Sequence, residues 1–179
     1  MKSTPTHIAE ENMSRLARRA WSFLLILIPL MPMPGHAQVR EVTVPVLVHN
    51  SDLVVRGTVM QSECRWADFS FGRIIVTDVT LRVTTLLKGT SDDSTVVVEV
   101  FGGVVGDVGL AVDNVPEFRG GEDAVVFLSS ADDLHRRRMV RGSCGKYTVD
   151  GLRIAETGQP ASDFLAQVSR EAGQKRSRP

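Results

Sequence analysis

Histidine, cysteine and aromatic side chains are all scarce in this 179-residue chain, and each shortage removes a class of function. There are four histidines, two cysteines and a single tyrosine, and aromatic residues make up 6% of the whole. Past residue 40 the histidines are His49 and His135 alone. Neither stands in a Ser-His-Asp or His-Cys signature, and no Gly-x-Ser-x-Gly elbow occurs. No catalytic residue is therefore assigned, and the expectation is a protein that is not an enzyme and carries no cofactor. Two cysteines with no histidine pattern beside them cannot form the usual four-ligand zinc site, so no metal is expected either. Excess charge of one sign is also missing, with 21 basic against 21 acidic groups. Nucleic-acid binding draws on a basic face that neutralises phosphates, and a neutral chain lacks that footprint. Nor is there an apolar run of the roughly 20 residues that a membrane-spanning helix needs.

What is present first is a leader. Arg15, Arg18 and Arg19 precede the apolar run Phe23–Ile28, which breaks at Pro29, Pro32 and Pro34, and the small residues Gly35 and Ala37 follow. That order is the order of a secretory signal peptide. Residues 1–37 are read as the signal, with Gln38 as the first mature residue and the periplasm or the extracellular space as destination. Arg18-Arg19 before Phe23-Leu24 suits a twin-arginine signal as well as an ordinary one. A start at Met13 would also make a cleaner leader than one at Met1, because the first dozen residues are polar and include Glu10 and Glu11. After cleavage no membrane span is expected.

Residues 38–160 are expected to form one domain, and residues 161–179 a short helix with a disordered basic tail. Cys64 and Cys144 both lie in the exported part. An oxidising compartment makes a disulfide between them the leading reading, with two separate buried thiols as the rival. A loop of about 80 residues closed by such a bridge would contribute roughly 4 kcal/mol.

Five strands are expected. Asp52–Met60 is rich in β-branched residues. Arg73–Leu87 alternates, with Ile75, Thr77, Val79, Leu81 and Val83 on one face and Val76, Asp78, Thr80 and Arg82 on the other. This period of two describes a strand buried on one side. Thr95–Phe101 and Asp123–Leu128 are the third and fourth. The fifth runs through Met139–Arg141 and Lys146–Val149, with bulges at Gly142 and Gly145. Ser162 can cap a helix over 163–170. Thr43–Asn50 reads as a short helix capped by Thr43 more readily than as a strand, because Pro45 suits a first helical turn.

Asn50–Val59, the strand ending in Leu86-Leu87-Lys88-Gly89, Pro116–Leu128 and Gly145–Val149 together resemble the tissue inhibitors of metalloproteinases and the netrin-type modules. They are closer still to exported bacterial proteins that share that barrel. The resemblance covers roughly residues 43–150, and its motifs are short strand and turn segments. It implies a mainly β fold, a small five-stranded OB-like closed barrel with one or two short helices. Closure would bring the last strand beside the first, and with it Cys144 beside Cys64. The inhibitors chelate zinc through an N-terminal Cys. Here Gln38 takes that place, so their mechanism does not carry over.

A non-catalytic binding module follows, with an envelope or extracellular protein or peptide as partner. An oligosaccharide or wall polymer is the alternative, and then a protease inhibitor or an enzyme of unknown type. The expected binding rim joins Trp66, Asp68, Phe69 and Phe71, read as an aromatic turn between the first two strands, to the glycine-rich segment with Gly102, Gly103, Gly106 and Asp107. Packing over a barrel end explains the aromatic turn equally well. The glycine-rich segment lacks the helix start that a phosphate loop needs, so it reads as a connection that visits positive φ. Asp52, Arg56, Asp78 and Arg82 read as partners in cross-strand ion pairs, ahead of calcium binding or acid–base work. Arg136-Arg137-Arg138, beside Asp132 and Asp133, reads as a solvated turn.

Overall fold

Two strands of 17 residues dominate the architecture. The computed structural model describes residues 42–174. The leader over 1–37 and the basic tail from Lys175 lie outside the described residues. β1 (Leu53–Phe69) and β2 (Gly72–Lys88) form a hairpin turned by Ser70 and Phe71. β3 (Thr95–Phe101), β4 (Gly103–Val105), β5 (Val108–Leu110), β6 (Asp123–Leu128), β7 (Arg136–Arg138), β8 (Lys146–Asp150) and β9 (Arg153–Ile154) follow. Helix α1 (Val44–Asn50) precedes them and α2 (Ala161–Gln174) ends them.

The main sheet has the order β7-β3-β2-β1-β6-β8-β9, while β4 and β5 pair only with each other. All the main-sheet pairs are antiparallel except β3 with β7. Alternation along the strands divides the apolar residues between two faces. One face brings Val55, Val59, Val79, Leu81, Val98 and Val126 together. On the other, Val54, Val125, Phe127 and Val149 are covered by Leu47 and Val48 of α1 and by Ala161, Phe164 and Val168 of α2. The α2 residues recur every three or four positions, which puts them on one side of the helix. The Tyr147 ring links the layers, with centroids 4.6 Å from Phe164 and 5.9 Å from Phe127.

The sheet does not close into a barrel, which corrects the five-stranded OB-like expectation. The reason lies in strand lengths. Beyond Thr58, β1 loses β6 and continues with β2 alone to the hairpin tip. On the far side β7 pairs with β3 over three residues only, and the chain after it meets β6 in a single bridge, Leu128 to Met139. One bridge to β6 is not the ladder that closure requires. The expected fifth strand also changes form. Its first part lies at Arg136–Arg138, and Gly142–Gly145 forms a 3₁₀ turn where bulges were expected.

The Cys64–Cys144 bridge is absent; both thiols are free and exposed. Cys64 lies opposite Thr77 in the part of β1 that has left β6 behind, whereas Cys144 sits in the turn just before β8, on the far side of β6. Lys146 is level with Val126 and Val55, nine residues down the strand from Cys64. Nine strand residues span roughly 30 Å, far beyond the reach of a disulfide.

Local expectations fare better. β2, β3 and β6 lie within a residue of their expected bounds, and Thr43 is the extended N-cap of α1 with Pro45 in its first turn. The α1 and α2 layer is a test of the packing. Phe164→Ala removes a fully buried ring that packs on Tyr147, and the expected cost is about 3 kcal/mol. Urea unfolding followed by circular dichroism measures it.

Candidate binding face at the hairpin tip

Glu99 is the only charged residue in the run Thr95–Phe101, and it is buried, with 5% of its surface exposed. Pairing with Asp78 on β2 and Arg138 on β7 sets it in the middle of three strands. Three arginines reach it. Arg65 Nη2 donates to Oε2 at 2.7 Å, Arg138 Nη2 and Nε donate to Oε1 at 2.8 and 3.0 Å, and Arg136 Nη1 stands 3.7 Å from Oε2. Arg65 also holds Asp78 through Nε and Nη2, and Arg136 holds Asp132. The Arg65 guanidinium is raised above its ordinary pKa chiefly by its hydrogen bond to Asp78, so it remains charged throughout. Burial favours the neutral form of Asp132, but the backbone N–H groups of Arg136 and Leu134 outweigh it and hold the carboxyl below its usual range.

Aromatic rings continue this face to the hairpin tip. Phe69 stacks on Phe71 at 5.2 Å and meets Phe101 edge-on at 5.6 Å. The Arg138 guanidinium lies 5.2 Å from the Phe69 centroid and 5.4 Å from that of Phe101. Phe71 is 71% exposed. A hollow of about 390 Å³ opens here, lined by Arg65, Phe69, Leu134, Arg136 and Arg138. Arg138 spends Nε and Nη2 on Glu99, and Nη1 has no acceptor among the described residues. A cation with a free donor beside an exposed ring can take a carbonyl or carboxylate and an apolar group together.

The expected rim is only partly assembled. Phe69 and Phe71 sit at the tip, with Trp66 and Asp68 on the opposite side of the β1 pleat and Arg73 over the Trp66 ring at 5.5 Å. The aromatic turn proves to be strand up to Phe69. The glycine-rich segment is the β4–β5 hairpin, whose Gly106-Asp107 turn has Gly106 at φ 60°, as a hairpin turn with glycine first requires. Its base packs on the long hairpin, since a Cβ at Gly103 would stand 2.6 Å from both Cys64 Sγ and Thr77 Oγ1. Thr77 donates its hydroxyl hydrogen to Gly102 O at 2.7 Å, so the Cys64 thiol donates to Thr77 at 3.3 Å. Gly106 lies at the open turn of this hairpin, where a Cβ would meet nothing within 4 Å.

The ion-pair reading stands for Asp78 and Arg56, with other partners: Asp78 takes Arg65, and Arg56 takes Asp123 at 2.6 Å. The solvated-turn reading of Arg136–Arg138 is corrected. These residues form an edge strand, and Arg136 and Arg138 point to the buried carboxylate. Glu99, Arg65, Arg136 and Arg138 are the site residues that sequence reading missed. The signal for Glu99 was a lone carboxylate in an apolar strand, which must find a cation when buried.

A second hollow, of about 670 Å³, lies between β8 and the Val115–Arg119 segment. Glu122 accepts from Lys146 Nζ at 2.5 Å, Thr148 Oγ1 at 2.7 Å and Arg119 N at 2.9 Å. Exposed Cys144 lines the same hollow, and burial pushes the Tyr147 phenol up. Among the described residues no cluster of three His, Cys, Asp or Glu side chains could hold a metal ion. No described helix is long and apolar enough to cross a membrane. No protein-family model matches the chain, and no curated protein does.

Burial raises the Glu122 pKa, but the Lys146, Arg119 and Thr148 hydrogen bonds more than offset it, and the folded value lies below the ordinary one. The contribution of Glu122 to stability is therefore complete above about pH 4.3, where the unfolded carboxyl titrates. It is lost as pH falls through the lower folded value. Glu122→Gln is expected to cost about 1 kcal/mol at pH 7, with the gap to the parent narrowing toward pH 3. Urea midpoints at the two pH values measure it.

Proposed function

We propose that this chain is an exported, non-catalytic binding module that takes a protein or peptide segment at the tip of its long hairpin. Export is supported by the Arg15–Ala37 leader pattern. The observation that carries the binding reading is the Phe71 ring, mostly exposed and stacked on Phe69, beside an Arg138 guanidinium with a donor to spare. Large exposed rings next to arginine are the composition of interface hot spots. An unliganded chain gains nothing in stability from exposing such a ring. The adjoining hollow is open and mostly polar, and suits polar side chains and carbonyls of a peptide more than a small enclosed apolar ligand.

The sugar-binding alternative would use a free aromatic face. Arg73 already lies over one face of the Trp66 ring. Phe71 is left as the only exposed phenylalanine of the tip cluster.

Phe71→Ser removes an exposed ring and leaves the Glu99 cluster intact, so the domain should remain folded. Proteins captured from a cell-envelope extract by the full chain are expected to fall at least tenfold with Phe71→Ser. Equal capture by both would contradict the reading. Binding to purified wall polymer, lost in the variant while protein capture stays, would transfer the site to the sugar alternative.

A further inference from the structure

Ser62, Cys64, Trp66 and Asp68 carry main-chain groups that no described strand takes up. Odd-numbered β2 residues bond on the β3 side, since Ile75 O accepts from Gly102 N and Val83 N donates to Ser94 O. Even-numbered Ile74, Val76, Asp78 and Thr80 therefore bond to β1, opposite Ala67, Arg65, Glu63 and Gln61. The N–H and C=O groups of the intervening β1 residues point away from β2. β6 covers that edge up to Thr58, and at Val59 the N–H reaches Glu122 O and the carbonyl takes Gly121 N–H. From Ser62 to Asp68 the outward groups make no backbone hydrogen bond among the described residues.

Open edges are commonly guarded by lysine, proline or a bulge. Gln61–Phe69 contains neither lysine nor proline, and the bulge at Met60 precedes it. The window is short, because Gly121 and Glu122 close it at Val59. A second copy of the long hairpin would run into them, whereas a lone extended segment spanning Ser62 to Asp68 would not. The hollow beside Arg138 is lined by Arg65, Trp66, Ala67, Asp68 and Phe69, so it adjoins this edge. Resting on the binding function proposed above, we infer that the peptide adds to β1 as one further antiparallel strand over Ser62–Asp68.

Main-chain groups give such a complex its affinity, and the side chains beside the edge select the sequence. Antiparallel is the more stable pairing, and it sets the residues opposite Glu63, Arg65 and Ala67 in non-hydrogen-bonded positions, where side chains lie closest. Glu63 is exposed and makes no ion pair among the described residues, taking only the Gln61 amide. A lysine or arginine opposite it supplies the missing cation. Arg65 asks nothing of the peptide, because Asp78 and Glu99 already hold it. Ala67 is small and lines the hollow with Phe69 and the exposed Leu134, which leaves room for an apolar side chain. An antiparallel peptide runs from the tip toward Val59. Its apolar residue, opposite Ala67, therefore comes four positions before the basic one opposite Glu63, on the same face.

The full chain applied to an array of random synthetic nine-residue peptides tests this. Expected ligands share an apolar residue followed four positions later by lysine or arginine, with no proline between them. N-methylation of the peptide at the residues facing Cys64 and Trp66 is expected to weaken binding at least tenfold, and at the residue facing Arg65 less than about threefold. Glu63→Lys, at an exposed position, should turn the basic preference into an acidic one while circular dichroism stays unchanged. Amide exchange at Ser62, Cys64 and Trp66 should slow when such a peptide is bound. An array without ligands, or binding that tolerates N-methylation at every position, would overturn strand addition. A tenfold fall in envelope capture with Phe71→Ser would then keep the tip as a binding site without an added strand. Array ligands that show the N-methyl signature, with equal capture by Phe71→Ser, would support the edge and overturn the reading of the tip.

Discussion

Burying a carboxylate to 5% exposure is costly unless cations meet it, and Glu99 obtains them from two elements far apart in sequence. Arg65 comes from the extended half of β1, while Arg136 and Arg138 come from β7. β7 has three residues and pairs only with β3, so ladder hydrogen bonds alone hold it weakly. Its two arginines add charge-assisted bonds directed at a fixed point. Arg136 also holds the Ala131–His135 loop through Asp132, whose carboxylate accepts from the N–H groups of Leu134 and Arg136. Burying a paired charge is close to neutral in net stability, yet removing one partner is costly. The consequence here is specificity of arrangement: the edge strand, the hairpin and β3 are held in one relation.

The binding face inherits its shape from that arrangement. Arg138 lies between Glu99 and the Phe69 and Phe101 rings, so the carboxylate that fixes the guanidinium also fixes the platform under Phe71. The scaffold beneath is rigid for a different reason. Two apolar layers cover both faces of the sheet near β6, whose Ala124–Leu128 are all fully buried. Toward the tip that apolar packing thins out and ion pairs take over. A hairpin that outruns its neighbours thus gains order from electrostatics where it can gain little from a core.

Local chemistry made much of this visible in the residues. The period-two pattern of Arg73–Leu87 and the β-branched runs at Thr95 and Asp123 define strands that stand where they were read. Thr43 and Pro45 likewise mark the first helix. What could not be read was which strand outlasts its neighbours. Met60–Phe69 has a polar composition that suits a loop, and it is a strand because β2 supplies a partner along its full length. That single misjudged length accounts for the closed barrel and for the disulfide, since both assumed that the end of β1 lies beside the last strand. Arg136–Arg138 failed for a related reason. Three consecutive arginines look solvated until a buried carboxylate on a distant strand gives them somewhere to point, and only the fold shows that it does.

The central claim is that Glu99 couples β1 and β7 to β3 through its arginines. A double-mutant cycle with Glu99→Gln and Arg65→Met, read as unfolding free energies in urea at pH 7, tests it most directly. Each single change should destabilise the protein, and the pair should cost less than the sum by about 1–3 kcal/mol. Additivity within about 0.5 kcal/mol, with Glu99→Gln itself near neutral, would show that the cluster fills space without organising the fold.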